Sequence, residues 1–107
     1  MSLRAHVVSG GLLALGIMLA SFGAQAANFP QQVPLCASCH GQGGISRAPG
    51  IPNLAGQKEG YLARALEDYK HGLRKGPMSG MMASVAAQLS DSDIKALAAY
   101  YAGMKPN

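Results

Sequence analysis

The stretch Cys36-Ala37-Ser38-Cys39-His40 decides how the rest of this chain is read. Two thiols three positions apart sit about one helical turn apart on a single face, where they can add across the two vinyl groups of a haem. His40 follows directly, so the tether leaves its imidazole aimed at the iron, as the haem-attachment signature requires. Cys36 and Cys39 are therefore the candidate covalent attachment points for one haem c, and His40 is the candidate proximal iron ligand.

Composition points the same way. A chain of 107 residues allows one domain, and 14 glycines against only four tyrosines and two phenylalanines are lean material for a self-sufficient core. A bound ring is expected to supply the missing apolar mass. At the N-terminus, Arg4 precedes a largely apolar run from Val7 to Ala20, and small residues end in Ala24-Gln25-Ala26. This is the order of a secretory signal peptide, so residues 1–26 are expected to be removed and residues 27–107 to form a periplasmic domain. An uncleaved membrane anchor is the alternative, but Ser9, Gly10, Gly11 and Gly16 interrupt the run, which is shorter than the roughly 20 residues a spanning helix needs. Losing Arg4 takes the formal charge from +4 to +3.

Two cysteines in an exported protein also invite other readings. A disulfide across so short a loop constrains the unfolded chain little. A thioredoxin-like redox pair expects strands alternating with helices, and no strand pattern is present. Zinc could nominally take Cys36, Cys39, His40 and His71, although adjacent Cys39 and His40 point in different directions.

Along the domain, Pro30 and Pro34 exclude a long first helix, and Pro34 suits an early position in a short helix that carries the signature to Gly41. Gly41 to Gly60 reads as an irregular loop. A ligating imidazole usually donates its other N–H to a carbonyl, and the Ala48-Pro49-Gly50-Ile51-Pro52 stretch is the candidate acceptor. Tyr61 to His71 is predicted helical, with Tyr61, Leu62, Ala65, Leu66 and Tyr69 on one face and Gly72 as its stop. His71 suits a cation at a helix C-terminus, with a second axial ligand as its alternative role. Met81 to Leu89 is predicted as a short helix. The last helix starts at Ser90, an N-cap with Asp93 three residues on, buries Ile94, Leu97, Ala98 and Tyr101, and stops at Gly103.

With His40 below a tethered ring, the sixth iron position calls for a soft ligand such as a thioether. Met82 shares a face with Val85, Ala86 and Leu89 and so points inward, whereas Met81 aligns with Ser84 and Gln88 and Met78 follows Pro77 in a loop. Met82 is the candidate distal ligand, with Met81 and Met78 as the alternatives.

Three stretches, CASCHG (36–41), IPNLAGQ (51–57) followed by Tyr61, and MMASVAAQLSDSDIKALAAYYAG (81–103), together resemble the class I monohaem cytochromes c. The likeness is to the small bacterial kind also found as half-domains of dihaem cytochromes, and it covers most of residues 35–103. It implies an all-α, cytochrome c-like small helical domain wrapped around one covalently attached haem. It assigns the thioethers to Cys36 and Cys39 and the axial ligands to His40 and Met82, and it puts Gln57, Tyr61 and Arg74 near the propionates or the haem edge. The family's longer N-terminal helix is missing, and Phe29 is expected to pack in its place.

The implied function is outer-sphere one-electron transfer, by a carrier and not an enzyme. The alternatives are a haem subunit of a dehydrogenase or oxidase complex, and a ligand-binding or catalytic haem with a displaceable sixth ligand. Expected partners are redox proteins, among them membrane respiratory complexes or a periplasmic dehydrogenase, and no nucleic acid. Arg47, Lys58, Arg74 and Lys75 could form a basic rim that steers an acidic partner.

Overall fold

The computed structural model describes residues 29–107 and, before them, only residues 2, 3, 10, 11 and 16. The proposed signal peptide therefore lies almost wholly outside the described residues. The described residues form four α-helices and one 3-10 turn, in order α1 (Val33–His40), the turn Gln42–Gly44, α2 (Glu59–Lys70), α3 (Ser79–Ala86) and α4 (Asp91–Ala102). Among the described residues there is no strand, which removes the context a thioredoxin-like pair would need.

Helix α1 begins with Pro34 in its first turn, where a missing N–H costs nothing, and closes on Gly41, whose N–H donates to Ala37 O at 2.9 Å. Gly41 sits at φ 85°, and a Cβ there would lie 1.8 Å from Ile45 O, so only glycine lets the chain turn immediately after His40.

Helix α2 starts at Glu59, two residues before the predicted Tyr61, because Lys58 is the extended residue that precedes the helix and its carbonyl accepts from Leu62 N. It ends at Lys70 with Gly72 at φ 67° just beyond. Helix α3 also starts early, at Ser79, and ends at Ala86, short of the predicted Leu89. Tighter turn bonds, Gln88 N to Val85 O at 3.2 Å and Leu89 N to Ala86 O at 3.1 Å, take over there and deliver Leu89 into the core.

Ser90 then caps α4 as predicted. Asp93 N donates to Ser90 Oγ at 3.0 Å, and Ser90 N donates back to the Asp93 carboxylate at 2.9 Å. The Ser90 backbone N–H above all, and then the Ser90 side chain, hold the Asp93 carboxyl below its usual range. Gly103 is the C-cap, but at φ −78° it uses none of glycine's left-handed freedom, contrary to the usual reading of a terminal glycine.

Helix α2 packs against both α3 and α4. Val33, Leu62, Ala86, Leu89, Ile94, Leu97, Ala98 and Tyr101 form the core, in which Ile94 and Leu97 are the largest wholly buried side chains. Phe29 meets Tyr100 edge to face at 5.4 Å between centroids, taking the expected place of an N-terminal helix.

Candidate functional site

A cavity of about 380 Å³ opens between α1 with its following loop and the wall made by α2, α3 and α4. Cys36, Cys39 and His40 reach it from α1, Pro52 from the loop, Met81 and Met82 from α3, and Leu97 and Tyr101 from α4. Its lining is mostly apolar, as expected for a site that buries a large flat ring.

His40 is the one buried polar side chain among the described residues that belongs to a titratable imidazole, at 7% exposure. Its Nδ1 lies 2.7 Å from Pro52 O, within the loop stretch expected to supply the acceptor. A carbonyl oxygen can only accept, so Nδ1 carries the proton and donates. That fixes the tautomer with a lone pair on Nε2, the arrangement a metal-ligating imidazole requires. Gly44 O braces the loop by accepting from Leu54 N at 2.8 Å and Ala55 N at 3.1 Å, and Gly56 N donates to Tyr101 O at 2.9 Å.

Both cysteines are free thiols, Cys36 half-buried and Cys39 exposed, so both sulfurs are available to a cofactor. Burial pushes the Cys36 thiol up, and the Tyr101 hydroxyl beside it offsets part of that rise. Zinc is not favoured. No group of three His, Cys, Asp or Glu side chains among the described residues could hold a metal ion. His71 is exposed and pairs instead with Glu67 at 3.3 Å on the outer side of α2, away from the cavity lining.

All three candidate methionines line the cavity, and they differ in cover. Met82 is partly buried, while Met81 is 55% and Met78 50% exposed. Of the propionate candidates, Gln57, Tyr61 and Arg74 also line the cavity. Gln57 Nε2 donates to Asn53 O, and the Arg74 guanidinium lies 4.9 Å from the Tyr69 ring centroid, held protonated by Tyr61 nearby. Arg74 thus belongs to the cavity wall more than to a freely solvated rim, whereas Arg47, Lys58 and Lys75 are exposed.

Sequence reasoning placed Tyr101 in a buried stripe and missed its hydroxyl. That oxygen is buried with no well-placed hydrogen-bond partner among the described residues. The available signal was the residue type, since a tyrosine ending an otherwise aliphatic stripe buries a donor that needs an acceptor. The residues present fit a covalently held haem: two free sulfurs, an imidazole with its tautomer set, an apolar wall, and a buried hydroxyl on one of the lining residues.

Comparison with known proteins agrees. The cytochrome c family pattern matches residues 27–105. Cytochrome c4 of Azotobacter vinelandii is 39% identical over 102 residues, covering 89% of this chain and 49% of that protein. A thiosulfate dehydrogenase electron acceptor of Thiomonas intermedia is 35% identical over 109 residues, covering 98% of this chain and 49% of that protein. The crystal structure of reduced recombinant cytochrome c4 from Pseudomonas stutzeri superposes with a TM-score of 0.60 at 38% identity, covering 65% of this chain and 38% of that one. The chain spans about half the length of these curated relatives. Because the likeness runs through the attachment signature and every helix around the cavity, the chain belongs to the cytochrome c family and carries that family's covalently bound haem c.

Proposed function

We propose that this chain is a one-electron carrier, with its haem held by Cys36 and Cys39 and ligated axially by His40 and Met82. When bound, the haem supplies a reversible Fe(II)/Fe(III) couple. The two cysteines fix the ring against α1. Pro52 O keeps the proton on His40 Nδ1, which leaves Nε2 for the iron and raises its basicity. Leu62, Leu97 and their neighbours exclude water, so little solvent must rearrange when the charge changes. A soft Met82 sulfur favours the reduced state. With His40 and Met82 both holding the iron, no position would be left for a substrate, which favours a carrier over a catalyst.

The observation that carries this reading is the buried His40, its Nδ1 bonded to Pro52, sharing one apolar cavity with Met82 from another helix. Reduction under carbon monoxide tests it. Wild-type holoprotein should scarcely change its visible spectrum, while Met82→Ala should take up the gas and Met81→Ala and Met78→Ala should not. Prompt binding by the wild type would instead make this a ligand-binding or catalytic haem.

The chain's partners are redox proteins. A dehydrogenase is the donor class favoured by the relative named an electron acceptor for one, and a membrane respiratory complex is the natural acceptor. Arg47, Lys58 and Lys75 supply the exposed positive charge for steering. We place the working form in the periplasm, as residues 27–107 after cleavage behind Ala26, on the strength of the leader's residue order. No helix among the described residues is long and apolar enough to cross a membrane. The mass of the exported protein tests the cleavage site.

A further inference from the structure

The Tyr101 hydroxyl is a buried donor with no well-placed acceptor among the described residues. Its residue is 3% exposed and lines the cavity, and the oxygen is sealed from solvent. Leaving such a group unpaired is costly, and native folds seldom do so without reason. Its ring is not free to swing away. A Cβ on Gly44 would lie 2.9 Å from Tyr101 Cδ1, so the ring fits against that glycine, while Gly56 N holds the residue's carbonyl at 2.9 Å. Edge-to-face contact with Tyr100 at 5.2 Å closes another side. The hydroxyl is therefore aimed by three separate contacts.

Cys36 packs against the core cluster that contains Tyr101 and lines the same cavity; burial above all, and then the neighbouring Cys36, pushes the Tyr101 hydroxyl's ionisation well up. The two groups interact, but the contact falls short of well-formed hydrogen-bond geometry, and a free thiol is only a weak donor and a weak acceptor. Thioether formation changes the chemistry of that sulfur. It loses its proton, becomes an acceptor only, and loses the rotation of an unattached side chain.

We propose that Tyr101 is a positioning residue for the cofactor, its hydroxyl donating a hydrogen bond to the Cys36 thioether sulfur. The inference rests on attachment at Cys36 and is independent of which methionine ligates the iron. The bond draws electron density from the sulfur and hence from the ring edge, which favours the reduced state. It also gives the two tethers different roles: Cys36 is held on the inside by α4, and Cys39 remains at the surface.

The test uses holoprotein whose mass and haem peptide show porphyrin on Cys36. Tyr101→Phe deletes only the oxygen, and the sign of its effect is diagnostic. An orphaned hydroxyl is a burden, so its removal would leave the holoprotein equally or more stable. A bonded one contributes, so its removal should lower the folded-to-unfolded ratio by roughly 2- to 12-fold, the range for one net hydrogen bond. The midpoint potential should move negative. In a Cys36→Ala background, with the ring attached through Cys39 alone, both effects should vanish. A loss of stability that persists there would assign the hydroxyl to some other acceptor and overturn the proposal.

Should the variant fail to mature, the wild type still decides. The resonance Raman carbon–sulfur band of Cys36 should shift between H2O and D2O, and an unshifted band overturns the proposal. No porphyrin on Cys36 would overturn this inference together with the attachment it rests on, whereas attachment without a Tyr101 effect overturns this inference alone.

Discussion

Two adjacent glycines allow the packing behind His40 to be weighed directly. Gly43 and Gly44 both sit at positive φ, 64° and 72°, so alanine at either pays the same left-handed backbone penalty of about 1–2 kcal/mol. Their surroundings differ completely. A Cβ on Gly43 meets nothing within 4 Å, whereas one on Gly44 lies 2.8 Å from Ala55 N and 2.9 Å from Tyr101 Cδ1. Neither neighbour is the loose end of a flexible chain, because Ala55 N is bonded to Gly44 O and Tyr101 is buried. Overpacking of that kind adds about 1–3 kcal/mol. Gly43→Ala should therefore cost ~1–2 kcal/mol and Gly44→Ala ~2–5 kcal/mol. In urea unfolding of the two holoproteins, with slopes of roughly 1–3 kcal/mol per molar, the midpoints should separate by about 1 M. The strain also has a chemical address. Gly44 O anchors Leu54 and Ala55, just beyond the Pro52 carbonyl that accepts from His40, so Gly44→Ala should perturb the potential while Gly43→Ala leaves it alone. Equal midpoints for the two variants would refute the idea that Gly44 is required for space as well as for backbone freedom.

Four further outcomes follow from the same structure. Leu97→Ala removes one of the two largest wholly buried side chains from a small core and from the cavity wall, and should cost about 2–5 kcal/mol by denaturant unfolding of the holoprotein. Ser90→Ala should cost about 1 kcal/mol through loss of the cap on α4. The folded Asp93 carboxyl titrates below its unfolded value, so its contribution is present above that unfolded value and fades as pH falls through the folded one; Asp93→Asn should flatten this part of the acid limb of an unfolding curve. Finally, Cys36→Ala with Cys39→Ala should abolish the cooperative melt seen by circular dichroism, since a bound group that favours only the native state is lost. An undiminished melt would show that the helices fold without the ring.

Much of this was legible in the chain because local chemistry wrote it. The capping box at Ser90 and Asp93, the proline-started α1 and the carbonyl partner for His40 each depend on residues within a short span, and each is found where expected. Periodicity was less exact at helix ends. The starts of α2 and α3 fall two residues early, because the first turn of a helix need not bury anything and so carries no apolar mark. The long-range fits were not legible at all. Nothing local in Gly56 announces that its hypothetical Cβ would meet the Pro106 ring at 2.6 Å, or that Gly44 faces Tyr101. The three methionines show the same limit from the other side: helical facing separates Met82 from Met81 by burial, yet both line the cavity.

The way the cavity is walled explains why fold and cofactor are hard to separate in this domain. Helix α2 holds both α3 and α4, while α1 packs chiefly with the 3-10 turn that follows it. The tether and the imidazole are thus on one side of the cavity and the methionines on the other. Direct links across it include Val33 and Cys36 at the core, the fit of Gly44 against the Tyr101 ring, and the Gly56 N to Tyr101 O bond that ties the loop to α4. A ring sewn to α1 and gripped from α3 would close that gap and supply the apolar contact that so few aromatic side chains leave missing. Tyr101 stands at this seam, with its carbonyl on the loop, its ring against Gly44 and its hydroxyl buried. A displacement of the loop therefore reaches both the acceptor of His40 and the neighbour of Cys36. Stability and potential are consequently expected to move together along this seam, and independently of each other at the distant cap of α4.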